Sequence, residues 1–355
     1  MTIYWFLLAV PAVLSLLYPA RLYRGPISAG QAAAMAGFVV LYTAISLLRH
    51  EVGGDWSAYV EMFDQARVAS FGQALVITDP AFSFLLWLSA LLGAGIYLPN
   101  AICSLILCYG ICRVAARTKE PWLAILVAVP YLLIVVGLGY IRQAAAIGLV
   151  LLAIDALVRE RRVLTLVLLL IGATFHSTSV VTWPLFAMAL ANRNKLRKLM
   201  LAIIGSGLTL LFALPRYAEL DSGYLESEYN SGGALVRLLM GLVPSVVLLA
   251  RWRAFEAPPQ IRSIWFGFAV ANIIGLLVLL LSPSSTAVDR LMLYFSAIQV
   301  VVFGELAKLL GFTERSGLIV RFVAIAYAVT VQLVWLLYAT HSDSWVPYKS
   351  VLTYL

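Results

Sequence analysis

The sequence predicts an all-α, polytopic integral membrane protein with about 10–12 transmembrane or re-entrant helices. Of the 355 residues, 63% are hydrophobic and only 12% are charged, and the mean hydropathy is +0.95. Soluble domains carry about twice that share of charged residues. Apolar runs long enough to cross a bilayer recur throughout the sequence, and short clusters of charge separate them. We therefore expect a single membrane domain over residues 1–355.

The apolar runs predict spans at 3–20, 29–48, 97–116, 121–138, 141–158, 198–214, 234–252, 261–281, 288–307 and 317–340. The first run has no positively charged segment before it, as a signal peptide would, so we predict a spanning helix there.

Two apolar stretches do not fit one full span each. Residues 163–191 begin and end beside basic clusters, and the polar segment 172–179 lies in their middle. We predict two helices that meet at a polar break, either as a re-entrant pair or as two short spans. Such a break is tolerated only where it faces protein or a wet cavity. Residues 81–93 predict a short or re-entrant helix.

Basic residues cluster between the spans, and the positive-inside rule places these clusters in the cytoplasm. They are Arg21/Arg24, Arg113/Arg117/Lys119, Arg159/Arg161/Arg162, Arg193/Lys195/Arg197/Lys198, Arg251/Arg253/Arg262 and Lys308/Arg315/Arg321. The segments 49–80, 139–142, 215–233, 282–290 and 341–355 are then periplasmic, with 49–80 and 215–233 as the main loops. This topology places Asp55, Arg142, Tyr224 and Asp289 outside, and Arg117, Arg161, Lys195 and Arg253 inside. The net charge of +8 therefore reflects topology, and we expect no nucleic-acid partner.

The sequence gives no sign of a metal or cofactor site. Its three cysteines, Cys103, Cys108 and Cys112, lie on one apolar run without partners at metal-ligand spacing. We interpret them as small core residues.

The loop after the second predicted span contains several candidate site residues. Gly53-Gly54 breaks the helix, and Asp55 stands where an N-cap is expected. Trp56 and Tyr59 begin an amphipathic helix suited to the outer membrane interface. Asp55 either only caps this helix or binds a substrate hydroxyl. The two aromatic residues either form an interfacial belt or contact substrate.

Arg142 and Gln143 stand at the start of the run 141–158. A charged side chain at such a depth is costly unless it faces protein, water or an anion. Arg142 therefore either snorkels to the headgroups or binds an anionic ligand.

The polar break and the last external turn supply the remaining candidates. His176 is either a hydrogen-bonded structural residue or a base in a cavity. Asp289 and Arg290 either form a local pair at a helix end or belong to a site, and Arg290 shares a helix face with Tyr294. Asp289 can neutralise only one arginine, and no acidic residue is adjacent to Arg142 in sequence. We therefore predict an unpaired charge available to a phosphate.

Four motifs in order resemble those of EpsG-type proteins. The loop from Arg49 to Tyr59 is similar to the family's Arg…Val-Gly-x-Asp-aromatic-x-x-Tyr loop, and Arg142-Gln143 resembles its Arg-Gln helix start. The segment Phe175-His176-Ser177-Thr178-Ser179 resembles a Phe-His-x-Ser signature, and Asp289-Arg290 with Tyr294 resembles a late Arg…Tyr element.

The resemblance implies a Wzy-like exopolysaccharide or O-antigen polymerase, a glycosyltransferase of the bacterial inner membrane. Such an enzyme joins repeat units carried on undecaprenyl diphosphate at the periplasmic face. Candidate partners are the flippase and the chain-length regulator of the same pathway. Two other functions stay open, a flippase of lipid-linked oligosaccharide and a membrane O-acyltransferase of polysaccharide.

Roles follow for the candidate residues. Because guanidinium groups match phosphate oxygens, Arg142 and Arg290 are predicted to bind the diphosphate. His176 and then Asp55 are the candidate catalytic residues. The predicted substrate-binding residues are Arg49, Trp56, Tyr59, Gln143, Asp289 and Tyr294.

Overall fold

The computed structural model describes residues 1–18, 20, 27–191, 233–281, 285–312 and 314–353. All regular structure within these ranges is helical, and a single isolated β-bridge joins Arg49 to Ser350. Six described helices are long and apolar enough to cross a membrane, and five shorter apolar helices accompany them. The predicted all-α, polytopic architecture is confirmed.

The helices in chain order are α1 (Thr2–Leu17), α2 (Ala29–Leu48), α3 (Trp56–Val68), α4 (Phe71–Ala74), α5 (Pro80–Leu91), α6 (Tyr97–Ala115), α7 (Pro121–Gly139), α8 (Ile141–Val158), α9 (Arg162–Phe175), α10 (Trp183–Leu190), α11 (Ala234–Ala250), α12 (Pro259–Leu281), α13 (Ser285–Ser296), α14 (Ile298–Gly304), α15 (Leu306–Leu310) and α16 (Glu314–Tyr338).

One predicted span is not the single helix that the sequence predicts. Residues 288–307 do not make one continuous helix, because α13, α14 and α15 are separated at Ala297 and Glu305. At the first break the Val300 amide donates to the Ala297 carbonyl, a tighter turn than an α-helix makes. Lys195, Tyr224, the predicted span 198–214 and all but the last residue of the predicted loop 215–233 lie outside the described residues.

The core is built around α6, α7 and α8. Every residue of α7 from Pro121 to Gly139 is buried. Its middle, Val129–Val136, is a π-helix with Pro130 in its first turn, and proline has no N–H for a regular ladder. Beside it, α6 and α8 pack closely, since a Cβ at Gly110 would lie 2.5 Å from the Gly148 carbonyl oxygen.

The polar break lies between α9 and α10, as predicted. Phe175 ends α9, His176 is extended, and a 3-10 turn over Ser177–Thr182 leads into α10. The predicted helix after Gly53-Gly54 is also present as α3, and the short helix predicted at 81–93 is α5.

The helices bring two groups of loops to opposite ends. At one end, here the upper end, α2 and α7 finish and α6 and α8 begin, next to residues 49–55 and 139–142. At the other, the lower end, α6 and α8 finish and α7 begins, next to residues 113–120 and 155–162. The candidate residues therefore collect at the upper end.

Candidate functional site

A buried carboxylate, Asp79, joins three distant parts of the chain at the upper end. Its side chain is 1% exposed and stands just before α5, where Pro80 occupies the first turn. Its Oδ2 accepts a hydrogen bond from Arg142 Nη1 at 3.2 Å and lies 3.4 Å from His176 Nδ1. Its Oδ1 accepts from the Ser177 amide at 3.2 Å. These donors satisfy a carboxylate that would otherwise be costly to bury.

Arg142 is paired, contrary to the expectation from sequence. It contacts the Asp79 carboxylate and also donates to the Thr78 hydroxyl. Its guanidinium carbon lies 5.9 Å from the ring centroids of both Tyr59 and Phe82. The prediction of an uncompensated charge was wrong because the acidic partner comes from a distant part of the sequence.

His176 is held at the bend of the polar break. An Nδ1–H donated to Asp79 fixes the tautomer in which Nε2 carries the lone pair. The same arrangement orients the imidazole in hydrolytic triads. Asp79 can therefore orient His176 for accepting a proton at Nε2.

A second carboxylate–arginine pair lies beside the first. Asp55 Oδ1 is 3.9 Å from Arg290 Nη2, and Tyr59 donates its hydroxyl to Asp55 Oδ2 at 3.3 Å. The Arg290 guanidinium lies 5.6 Å from the Tyr140 ring centroid. With 41% of its side chain exposed, against 19% for Arg142, Arg290 is the more accessible cation.

Two residues connect these pairs into one cluster. Tyr59 bonds to Asp55 through its hydroxyl and packs its ring against Arg142. Gln143 Nε2 donates to the Arg290 carbonyl at 2.5 Å. We call the set the charge cluster, and its members are Asp55, Tyr59, Asp79, Arg142, Gln143, His176 and Arg290.

Tyr294 and Trp56 lie around this cluster, and Tyr59 lies within it. The Tyr294 and Thr178 hydroxyls are 3.0 Å apart. Tyr59 is buried inside the protein, so the interfacial-belt alternative is wrong for this residue. Trp56 is partly buried between the His50 ring, 5.5 Å away, and the Arg49 guanidinium, 5.3 Å away.

Asp289 does not pair with its neighbour Arg290. Both its oxygens accept from Arg237 Nε, at 2.8 and 2.9 Å, so the alternative of a local Asp289–Arg290 pair is wrong. Consecutive residues on a helix point in different directions, which lets Asp289 reach α11 while Arg290 reaches Asp55.

Arg49 is fully buried and binds protein groups. It donates to the carbonyls of Val52 and Leu138, and to Asn100 Oδ1 at 2.6 Å. Burial lowers its pKa to about 10. Gly53, at a φ of 108°, is needed here because a Cβ would overlap the Leu138 carbonyl. These contacts attach the loop to the end of α7, and a contact between Arg49 and substrate stays a prediction.

Sequence reasoning missed Asp79, Tyr140 and Arg237. Asp79 had a usable signal, since an Asp-Pro step that opens an apolar helix marks an N-terminus at membrane depth. Arg237 was a charged residue near the start of an apolar run, the same signal that drew attention to Arg142.

The described residues contain no group of three or more His, Cys, Asp or Glu side chains placed to hold a metal ion. The three cysteines are free and buried in α6, which confirms their interpretation as core residues.

Fold and site together define a polytopic helical membrane protein with a partly buried charge cluster at one end. The model of the EpsG family matches residues 34–350, and the chain belongs to that family. It is therefore a membrane protein of the exopolysaccharide-polymerase type. No curated protein and no solved structure matches the chain.

Proposed function

We propose that this protein is a glycosyltransferase that joins oligosaccharide repeat units carried on undecaprenyl diphosphate. The observation that carries the proposal is the charge cluster, in which a histidine–carboxylate pair lies beside an accessible arginine. Such a transfer needs a proton acceptor and positive charge at the leaving group, and the cluster offers both.

In the proposed reaction, a hydroxyl oxygen of the incoming lipid-linked unit attacks the anomeric carbon of the growing glycan. The bond from that carbon to the diphosphate oxygen breaks, and its electron pair leaves with undecaprenyl diphosphate. The hydroxyl proton passes to His176 Nε2, and Asp79 stabilises the imidazolium that results. Neither a nucleotide sugar nor a cofactor takes part.

Arg290 is the proposed contact to the leaving diphosphate. Its carboxylate partner is 3.9 Å away and its side chain is the more exposed of the two predicted diphosphate ligands. A phosphate oxygen can therefore approach it with little rearrangement. Arg142 is hydrogen-bonded to Asp79 and Thr78, so its proposed contribution is a positive electrostatic potential and not a direct contact with the diphosphate. When Arg290 binds the phosphate it no longer pairs with Asp55, and the Asp55 carboxylate can then accept a hydrogen bond from the acceptor hydroxyl.

The upper end is proposed to face the periplasm, because the arginine-rich lower end matches the cytoplasmic pattern. Single cysteines at Asp343 and Arg161, both exposed, test this orientation, since the native cysteines are buried. A membrane-impermeant maleimide should label Asp343→Cys and not Arg161→Cys in intact spheroplasts. The opposite labelling would place the cluster in the cytoplasm and exclude the proposed reaction site.

Polymerisation of a purified lipid-linked repeat in detergent tests the reaction. His176→Ala should abolish polymer while the protein still inserts and folds. His176→Gln keeps a donor toward Asp79 but cannot accept a proton, so it should be inactive with a near-normal melting temperature. Full-length polymer from His176→Gln would remove the base assignment.

A deletion strain separates the proposed function from the alternatives. Loss of a polymerase leaves single repeats on the lipid carrier and at the cell surface, whereas loss of a flippase leaves no surface repeat. Loss of an O-acyltransferase leaves a polymer of normal length without acyl groups.

A further inference from the structure

The segment 341–353, here the C-terminal segment, folds back over the upper end. The Gly53 amide donates to the Ser344 carbonyl at 2.7 Å, and the His50 amide donates to the Lys349 carbonyl at 3.0 Å. Tyr348 donates its hydroxyl to the Ile45 carbonyl at 2.7 Å. The C-terminal segment is therefore bonded to the loop that carries Asp55.

Trp345 is the part of this segment that enters the core. Its side chain is 1% exposed, and its Nε1–H donates to the Ile134 carbonyl in α7 at 3.1 Å. The Tyr4 hydroxyl donates to the Trp345 carbonyl at 2.6 Å. A Cβ at Gly139 would overlap the indole, and one at Gly54 would lie 3.2 Å from it. The ring thus occupies space that two glycines leave open.

The residue that follows each of these glycines contacts the Arg290 guanidinium. Gly54 precedes Asp55, the carboxylate partner of Arg290. Gly139 precedes Tyr140, whose ring contacts both Trp345, 6.1 Å away, and the Arg290 guanidinium. The buried indole therefore contacts two glycines, and the residue after each of them contacts the proposed diphosphate ligand.

We propose that Trp345 is a positioning residue that sets the distance between Asp55 and Tyr140 and so orients Arg290 toward the diphosphate. This inference rests on the proposed function. Trp345 touches no substrate and acts through the two segments beside it. A misplacement of about 1 Å in such a site can cost on the order of a hundredfold in rate.

Binding of inorganic diphosphate to the purified protein, measured by calorimetry, tests the inference without requiring polymerisation. Trp345→Ala should raise the Kd for diphosphate about tenfold and also raise the KM for the lipid-linked donor. The matched control is Trp122→Ala, which removes an equally buried indole at the start of α7, at the lower end. Because Trp122 packs against Tyr18 and Phe38, its loss should lower the melting temperature and leave the Kd unchanged.

A double-mutant cycle covers the case in which Trp345→Ala fails to fold. Gly139→Ala should displace the indole and weaken diphosphate binding. Trp345→Phe, which has a shorter ring, should be close to wild type and should relieve the effect of Gly139→Ala. Additive effects of the two changes would mean that Gly139 does not act through Trp345, and the inference would be wrong.

The outcomes also separate this inference from the proposed function. If the wild-type protein binds diphosphate and Trp345→Ala and Gly139→Ala bind it equally well, the positioning role is wrong and the polymerase proposal stands. If the wild-type protein neither binds diphosphate nor extends a lipid-linked repeat, the proposed function itself fails.

Discussion

The two ends of the molecule use charge in opposite ways. At the lower end, three partly exposed arginines, Arg113, Arg117 and Arg159, share the single carboxylate of Asp155. At the upper end, Arg142, Arg237 and Arg290 each have a different carboxylate partner. Among the residues that the structure describes, three of the lower arginines thus share one carboxylate, whereas these three upper arginines are matched one to one.

The two sets of arginines therefore have different roles. Arg113 and Arg159 lie where α6 and α8 end, and cations stabilise the negative ends of helices there and favour one side of a membrane. At the upper end the pairing lowers the cost of bringing charge into the protein. An anion that reached the upper end would compete with these carboxylates, and the Asp55–Arg290 pair, at 3.9 Å, is the longest of the three.

The largest expected effect comes from removing the buried carboxylate of the upper end. Asp79→Ala leaves Arg142 and His176 without their shared acceptor and should lower the free energy of unfolding by about 3–5 kcal/mol. Asp155→Ala at the lower end should cost only about 1 kcal/mol, because its partners are partly exposed. Chemical denaturation of both variants in detergent measures the difference between their free energies of unfolding. Equal losses would show that the upper cluster is no more tightly coupled to folding than the lower one.

The second largest effect is expected from Arg290, whose substitution should lower activity and leave stability nearly unchanged. Arg290→Ala should slow polymerisation by roughly a hundredfold, corresponding to about 2–4 kcal/mol of transition-state stabilisation. Arg290→Lys should keep part of the rate, since lysine retains the charge and loses the planar fork.

The matched control for that experiment is Arg117→Ala, a similarly exposed arginine at the lower end, which should polymerise at close to the wild-type rate. Arg142 is the poorer probe, because its substitution also disturbs Asp79. A wild-type rate from Arg290→Ala would place the diphosphate elsewhere.

The smallest effect concerns the rim of the upper end and depends on pH. Lys349 holds the pKa of Glu51 below its usual value through a hydrogen bond of 2.7 Å and its charge. A carboxylate with a lowered folded-state pKa stabilises the protein above its unfolded pKa, and this is lost as pH falls through the folded pKa. Glu51→Gln should therefore melt slightly below wild type near neutral pH, and the two should converge on acidification. High salt should shrink the difference, and a gap that grows in acid would contradict the assignment.

The sequence predicted the helices well because long apolar runs leave a chain in a bilayer few alternatives. It also drew attention to four side chains that the structure brings together. The Gly-Gly break and helix start pointed to Asp55, and the cost of polar groups at membrane depth pointed to Arg142, His176 and Arg290. The sequence did not predict their partners. Asp79 meets Arg142 and His176, and Arg237 meets Asp289, only through the packing of separate helices, and periodicity carries no information about such pairs. The burial of Trp345 was not predicted either, because the indole fits against two glycines, Gly54 and Gly139, that are far away in the sequence.

The π-helix in α7 has a consequence for how this chain tolerates insertions and deletions. A π-turn takes one extra residue into a helix without rotating the parts on either side, whereas a residue lost from a regular α-helix rotates everything after it by about 100°. A chain shortened by one residue within Val129–Val136 can therefore close the wide turn and keep the register of Gly139 against Trp345. The Leu133 and Ile134 carbonyls, which lie in the wide turn and accept from Tyr42 and Trp345, would be the groups that move. We therefore expect the middle of α7 to tolerate a one-residue deletion better than its two ends, a difference that hydropathy alone does not reveal.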